Sequence, residues 1–310
     1  EDVIGILRDK RWHSAAGKIA EIMGVTNEQF LERQTVNILT AEGDVHLRLR
    51  RLVAPAFSPR QADRLRPFMR EVMNGLVDKV AASGTADFAI DICEPYPIPI
   101  ICELLGAPKS DWQLFSRWAN DILEIFSIDM ADKLDLIMRT QDELDAYTRD
   151  LIAQRRSKPA DDLLTDLIAA EEAGDRLSPS ELLSVVTMML VAGTDTTRNQ
   201  LGNMIHTFAE HPDQWALLRE RQELVVSAVE EAIRWEPATE ALPRMTVEEI
   251  EIGGHVVPAN TFVLLMSMSA NHDADALPDA ERLDITRETP GGWHLLTFGG
   301  GVHYCLGANL

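Results

Sequence analysis

The stretch FGGGVHYCLGANL, residues 298–310, decides how the rest of the chain is read. Its consecutive glycines Gly299, Gly300 and Gly301 permit a tight turn with positive φ and a close backbone approach to something flat or bulky. Cys305 follows, then Gly307 and a run that reads as the start of a helix. A thiolate at a helix N-terminus is stabilised by the helix dipole and by free backbone N–H groups. Such a cysteine can serve as a nucleophile or as a metal ligand. The competing reading is a packed structural cysteine, the usual fate of an isolated one. Cys93 and Cys102, in IDICEPYPIPIICELL, have apolar neighbours and no partner ligands, and are read as packed.

Outward from this loop the pattern is mainly α. RQADRLRPFMREVMNGLVDKVAA, residues 60–82, places Leu65, Phe68, Met69, Val72, Met73, Leu76, Val77 and Val80 on one helical stripe. Residues 111–126 and 132–155 show the same spacing, and 161–174 begins with acids and ends at Gly174. SPSELLSVVTMMLVAGTDTTRNQLGNMIHTFAEHP is the longest segment, with Ser178 as N-cap, Pro179 at the first helical position and Glu181 three residues past the cap. Its middle is apolar nearly all round, which predicts a central, buried helix. Within it, AGTDTT sets the small residues Ala192 and Gly193 beside Asp195 and Thr196. The small pair would let another body lie flat against the helix. The acid and hydroxyl either close local hydrogen bonds with the helix backbone or perform proton chemistry. One or two further helices follow, stopped by Pro237. Then VEEIEIGGHVVPANTFVLLMSM, residues 247–268, is β-branched, partly alternating and punctuated by Gly253, Gly254 and Pro258, which predicts a small antiparallel sheet. The expectation is a single domain over residues 1–310.

Composition excludes several classes. With 310 residues, 45% hydrophobic and 25% charged, the chain can bury a sizeable core, so disorder and low complexity are ruled out. The balance of 29 basic to 50 acidic residues gives a net charge of −21, without the basic footprint of a nucleic-acid binder. Three cysteines are too few for a disulfide scaffold and fit a reducing compartment. The most apolar runs fall short of the roughly 18 residues of a membrane span. A cytoplasmic protein is expected. The chain opens at Glu1 in one helical pattern and stops at Leu310 in another, so both ends read as cut.

The order Phe298, Gly301, Cys305, Gly307 is similar to the haem-binding loop of the cytochrome P450 family. The resemblance implies a mainly α, P450-like helical fold with a small antiparallel β part. It lacks the family's N-terminal β-rich start and the segment after the cysteine loop. It implies haem b as cofactor, with Cys305 as axial thiolate ligand of the iron. By the same resemblance AGTDTT crosses the haem on its oxygen-binding side, where Thr196 stabilises bound dioxygen and Asp195 relays protons. His46 and Arg50, one turn apart in DVHLRLRR, together with Arg244 and His303, stand where the family holds the haem propionates. His294 lies four residues before the loop phenylalanine, where the family has its histidine three before. Glu231 and Arg234 in EEAIR form the family's Glu-x-x-Arg pair, with Arg287 as third member, a structural network behind the cysteine loop. Read without the resemblance, that pair is an i,i+3 ion pair on a helix face.

The implied function is a monooxygenase that inserts one oxygen atom of O2 into a small, mostly apolar organic substrate. A peroxygenase on the same scaffold and a non-catalytic truncated fragment are the alternatives. The pocket would draw on residues 12–40, 114–138, the helix before Ala192, and 239–242, where Glu240 is the one acid of the last segment. Between His46 and Arg70 stand Arg48, Arg50, Arg51, Arg60, Arg64, Arg66 and Arg70 against the single acid Asp63. This is either a solvated helix face with propionate ligands or a basic patch that docks an acidic ferredoxin-type electron donor.

Overall fold

In the computed structural model, which describes residues 2–172, 175–288, 290–291 and 293–309, the helical periodicities become helices at nearly the expected bounds. In chain order they are α1 (Asp2–Arg8), α2 (Ile19–Ile22), α3 (Glu28–Thr35), α4 (Gly43–Val53), α5 (Pro59–Ala81), α6 (Pro97–Leu105) and α7 (Trp112–Leu123). Then follow α8 (Leu134–Ser157), α9 (Leu163–Glu172), α10 (Pro179–Glu210), α11 (Pro212–Glu220), α12 (Val225–Trp235) and α13 (Ser267–Asn271). The expected stop of α9 at Gly174 lies outside the described residues. The strands are β1 (Trp12–Ser14), β2 (Ala241–Thr246), β3 (Ile250–Ile252), β4 (His255–Val257) and β5 (Phe262–Met266).

The chain divides into two compact units. One comprises Ala16–Asp195 and the residues that follow Cys305. Its core is built on α6, whose run PIPIICELL is almost wholly buried because helices cover it on all sides. Ile98, Ile101, Cys102 and Leu105 pack with Leu163, Leu164 and Leu167 of α9 and with Leu182, Val186 and Leu190 of α10. Phe115, Trp118 and Tyr147 meet edge to face, with centroids 5.3–5.4 Å apart. The start of α10 is a reciprocal capping box: Ser178 N donates to Glu181 Oε2 at 2.6 Å, and Glu181 N donates to Ser178 Oγ at 3.3 Å.

The other unit comprises the residues before Ala16 and Thr196–Cys305. It holds an antiparallel sheet of order β1-β2-β5, in register Trp12↔Thr246 and Arg244↔Val263. The single sheet expected over 247–268 is thereby corrected. Its first part is the separate β3–β4 hairpin, turned by Gly253 and Gly254 at φ 57° and 77°. Its last part, β5, pairs with β2. Ile6, Leu7, Trp12, Ile250, Leu265 and Leu296 form one core of this unit. Phe208, Ala228, Ala232 and Ile285 form a second, under α11 and α12.

Candidate functional site

The amphipathic face of α12 turns Glu231 and Arg234 inward, 5% and 1% exposed. Burying a charge is tolerable only when it is paired and its hydrogen-bonding capacity filled. Arg234 Nε and Nη2 donate to the two Glu231 oxygens at 2.7 and 2.8 Å, a bidentate pair. Its Nη1 donates to the carbonyls of Asn271 (3.1 Å) and Ala280 (2.8 Å), and Nη2 also reaches Arg282 O at 3.2 Å. Arg287 Nε joins Glu231 at 3.2 Å and its other nitrogens donate to the carbonyls of Pro278, Asp279 and Arg282. The Asp284 amide donates to Glu231 Oε1 at 2.9 Å. The Glu231, Arg234 and Arg287 side chains thus meet in one buried network that organises the irregular chain between α13 and the cysteine loop.

Beside it sits His272. Its ring meets Trp235 edge-on at 5.2 Å, and its Nε2 is buried without a hydrogen-bond partner among the described residues. Burial, reinforced by the Arg234 charge, holds its pKa below the ordinary histidine value.

Asn271 and Thr297 are site residues that the sequence reading missed. Asn271 Oδ1 accepts from Leu296 N and its Nδ2 donates to Thr297 Oγ1, both at 3.0 Å. A lone Asn at the end of a short helix carries no periodic or spacing signal that could have found it.

The cysteine loop starts from the helical turn Leu296–Phe298. Gly299 N donates to Leu296 O at 2.8 Å, and Cys305 N donates to Phe298 O at 2.9 Å, which closes the loop on itself. Gly299 and Gly301 hold φ of 73° and 63°, the left-handed region that favours glycine. A Cβ on Gly301 would stand 2.0 Å from the Leu7 carbonyl oxygen, so the end of α1 seals this side of the loop. His303 ends the turn Gly301–His303 and is half-buried. The expected helix after Cys305 is a short 3-10 turn, Leu306–Asn309, which contains Gly307. His294 Nε2 lies 3.4 Å from Arg8 Nη2.

Cys305 is exposed, whereas Cys93 and Cys102 are buried. Burial pushes the Cys102 thiol up to about 12, so that thiol is inert. The accessible thiol of the chain therefore sits at the end of a loop that opens with three glycines. A soft thiolate donor on such a loop fits a thiolate-ligated haem.

His46, Leu49 and Val53 form the buried stripe of α4, with His46 2% exposed and Arg50 one turn further on, half-buried. Arg244 is 6% exposed at the centre of β2 and donates to Pro243 O at 2.8 Å. On α10, which runs unbroken through AGTDTT, Thr194 bonds back to its own helix, donating to Leu190 O at 2.5 Å. Ala192 and Thr196, one turn apart on the same face, are exposed, and Asp195 is half-buried. Gly193 admits a neighbouring helix: a Cβ there would stand 3.2 Å from Ile101 Cδ1 of α6.

The basic stretch is largely neutralised in three dimensions. Arg48 pairs with Glu181 and Asp175, Arg51 with Asp175, Arg64 with Asp161 and Arg66 with Asp63. Arg60 and Arg70 are exposed and make no ion pair among the described residues.

The fold and the loop define a haem-thiolate protein, and comparison with known proteins gives the family. The family model for cytochrome P450 matches residues 107–310. The chain is 39% identical to vitamin D(3) 25-hydroxylase of Pseudonocardia autotrophica, over 86% of this chain and 64% of that protein. It is also 39% identical to mycinamicin IV hydroxylase/epoxidase of Micromonospora griseorubida, over 88% of this chain and 68% of that protein. The crystal structure of CalO2 superposes with a TM-score of 0.90 at 28% identity, covering 99% of this chain and 77% of that one. The chain belongs to the cytochrome P450 family, whose members are haem-thiolate proteins. It spans about two thirds of the length of the curated relatives it matches.

Proposed function

We propose that residues 1–310 act as one haem-thiolate domain of a monooxygenase that inserts one oxygen atom of O2 into a small, mostly apolar organic substrate. The observation that carries this reading is Cys305: an exposed thiol on a glycine loop, in a chain of this family whose other cysteines are buried. Cys305 would ligate the haem iron. His46, Arg50, Arg244 and His303 would hold the propionates. Phe298, Gly301, Gly307, Ala192 and Gly193 would border the ring. When bound, haem supplies the activation of O2 and the oxidation of a C–H bond, chemistry that amino-acid side chains lack.

The chain's own residues would deliver protons and set the substrate pose. The Thr196 hydroxyl can donate a hydrogen bond toward the oxygen-binding side and pass on a proton, which the adjacent Asp195 carboxyl restores. Relatives named vitamin D(3) 25-hydroxylase, mycinamicin IV hydroxylase/epoxidase and 6-deoxyerythronolide B hydroxylase support a small organic molecule as substrate. Electrons would come from an acidic ferredoxin-type donor, with Arg60 and Arg70 as its docking cations. Among the described residues no helix is long and apolar enough to cross a membrane, and a cytoplasmic location is proposed.

Turnover under isotopically labelled dioxygen tests the reading, with a sterol and a macrolactone as trial substrates. The product should carry one labelled oxygen atom, and Thr196→Ala should divert electrons into released peroxide. Peroxide-driven turnover untouched by Thr196→Ala would contradict it.

A further inference from the structure

We propose that Asn271 is a positioning residue for Cys305, the link through which the buried ion-pair network sets the start of the cysteine loop. Asn271 ends α13 and is fully buried, 0% exposed. Its backbone and side chain face two ways. Its carbonyl accepts from Arg234 Nη1 at 3.1 Å, on the network side. Its amide side chain accepts from Leu296 N and donates to Thr297 Oγ1, each at 3.0 Å, on the loop side. Thr297 Oγ1 in turn donates to Ile233 O of α12 at 3.2 Å. From there the path is backbone: Leu296 O accepts from Gly299 N at 2.8 Å, and Phe298 O accepts from Cys305 N at 2.9 Å. Hydrogen bonds and the short turn Leu296–Phe298 therefore connect Glu231 and Arg234 to the amide of Cys305.

The chemistry selects an amide at this position. The Leu296 N–H needs an acceptor, and the Thr297 hydroxyl, already donating to Ile233 O, needs a donor. Asn offers one of each at the correct reach. Asp would offer acceptors only and would bury a charge. Leu would match the shape and supply neither, leaving a buried N–H unpaired. With its first turn untied, the start of the glycine-rich loop loses the side-chain bonds that tie it to the end of α13.

The test compares the wild-type chain with Asn271→Leu, Thr297→Val and the conservative Thr297→Ser. The haem-free chain is followed by amide hydrogen exchange. The haem-loaded, dithionite-reduced chain is followed by its CO spectrum. Asn271→Leu should speed exchange at Leu296 and Cys305 by about tenfold or more, the loss of one buried hydrogen bond, and leave the core amides of α12 unchanged. It should also lower the fraction absorbing at the red-shifted thiolate band. Thr297→Val should act in the same direction, and Thr297→Ser should match the wild type. Equal loss of protection in α12 would make Asn271 a packing residue and overturn the proposal; so would wild-type exchange at Leu296 and Cys305. The spectroscopic arm rests on the haem-thiolate reading above. A wild-type chain without the thiolate band would count against that reading, and the exchange result alone would then decide the role of Asn271.

Discussion

Gly301 carries two constraints at once. Its φ of 63° is one that side chains resist, and a Cβ would stand 2.0 Å from the Leu7 carbonyl oxygen, a backbone atom that cannot swing away. Gly301→Ala should therefore destabilise the chain by at least about 1 kcal/mol from the left-handed backbone alone, read as a lower urea midpoint. Gly24→Ala, at φ 86° with open space around it, would carry the conformational cost without the clash and serves as the control. His272 gives a second residue-scale prediction. Its folded pKa lies below the ordinary histidine value of about 6.5, because burial and the Arg234 charge oppose protonation. The unfolded chain then binds the proton more readily, so its contribution to stability is intact above the unfolded pKa and declines as pH falls below about 6.5. His272→Phe keeps a ring against Trp235 and removes the titration. Its urea midpoint should fall less steeply with acidification than that of the wild type; equal slopes would sink this account. The sequence displayed Cys305, Thr196, Asp195 and Arg244 because each carries a recognisable neighbourhood. His272 and Asn271 were illegible, since their roles come from contacts with α12 and the loop that leave no trace in local spacing.

At the scale of elements, the helices were legible and the sheet was only partly so. Apolar spacing over 60–82 became α5, and Ser178, Pro179 and Glu181 became the start of α10, because amphipathic periodicity and capping are local properties. Strand β1 is three residues long and shows no alternation, and β2 contains Pro243; their pairing is decided by tertiary partners. The capping box predicts that Ser178→Ala costs roughly 1 kcal/mol, measured by chemical denaturation. The network at α12 predicts more. Arg234→Met removes one partner of a buried pair and leaves Glu231 with Arg287 and the Asp284 amide. The loss should be about 3–5 kcal/mol, and Arg287→Met, farther along the same carboxylate, should cost less. Equal urea midpoints for Arg234→Met and wild type would show that the pair does not hold this region together.

At the scale of the whole molecule, the net charge of −21 sets the electrostatic background against which any docking surface must be read. Along the chain, residues 46–70 look like a strong basic patch. In space Arg48, Arg51 and Arg64 meet acids supplied by the distant residues Asp175, Glu181 and Asp161, which no local reading could reveal. Arg60 and Arg70 are therefore the cations we propose for docking the electron donor. Arg60→Glu combined with Arg70→Glu should slow first-electron delivery from an acidic ferredoxin and flatten its dependence on ionic strength. The same reversal at Arg66, which has Asp63 as its partner, should matter less. An unchanged salt dependence in the double variant would remove the patch from the account. The central claim, that Cys305 of this chain serves as a thiolate ligand to haem, has a more direct test in the absorption spectrum of the haem-reconstituted, dithionite-reduced chain with and without CO. A red-shifted Soret band, the mark of a thiolate-ligated haem, is expected, and it should be lost in Cys305→Ser. A band at the shorter wavelength of a neutral ligand, or a thiolate band that survives Cys305→Ser, would contradict it.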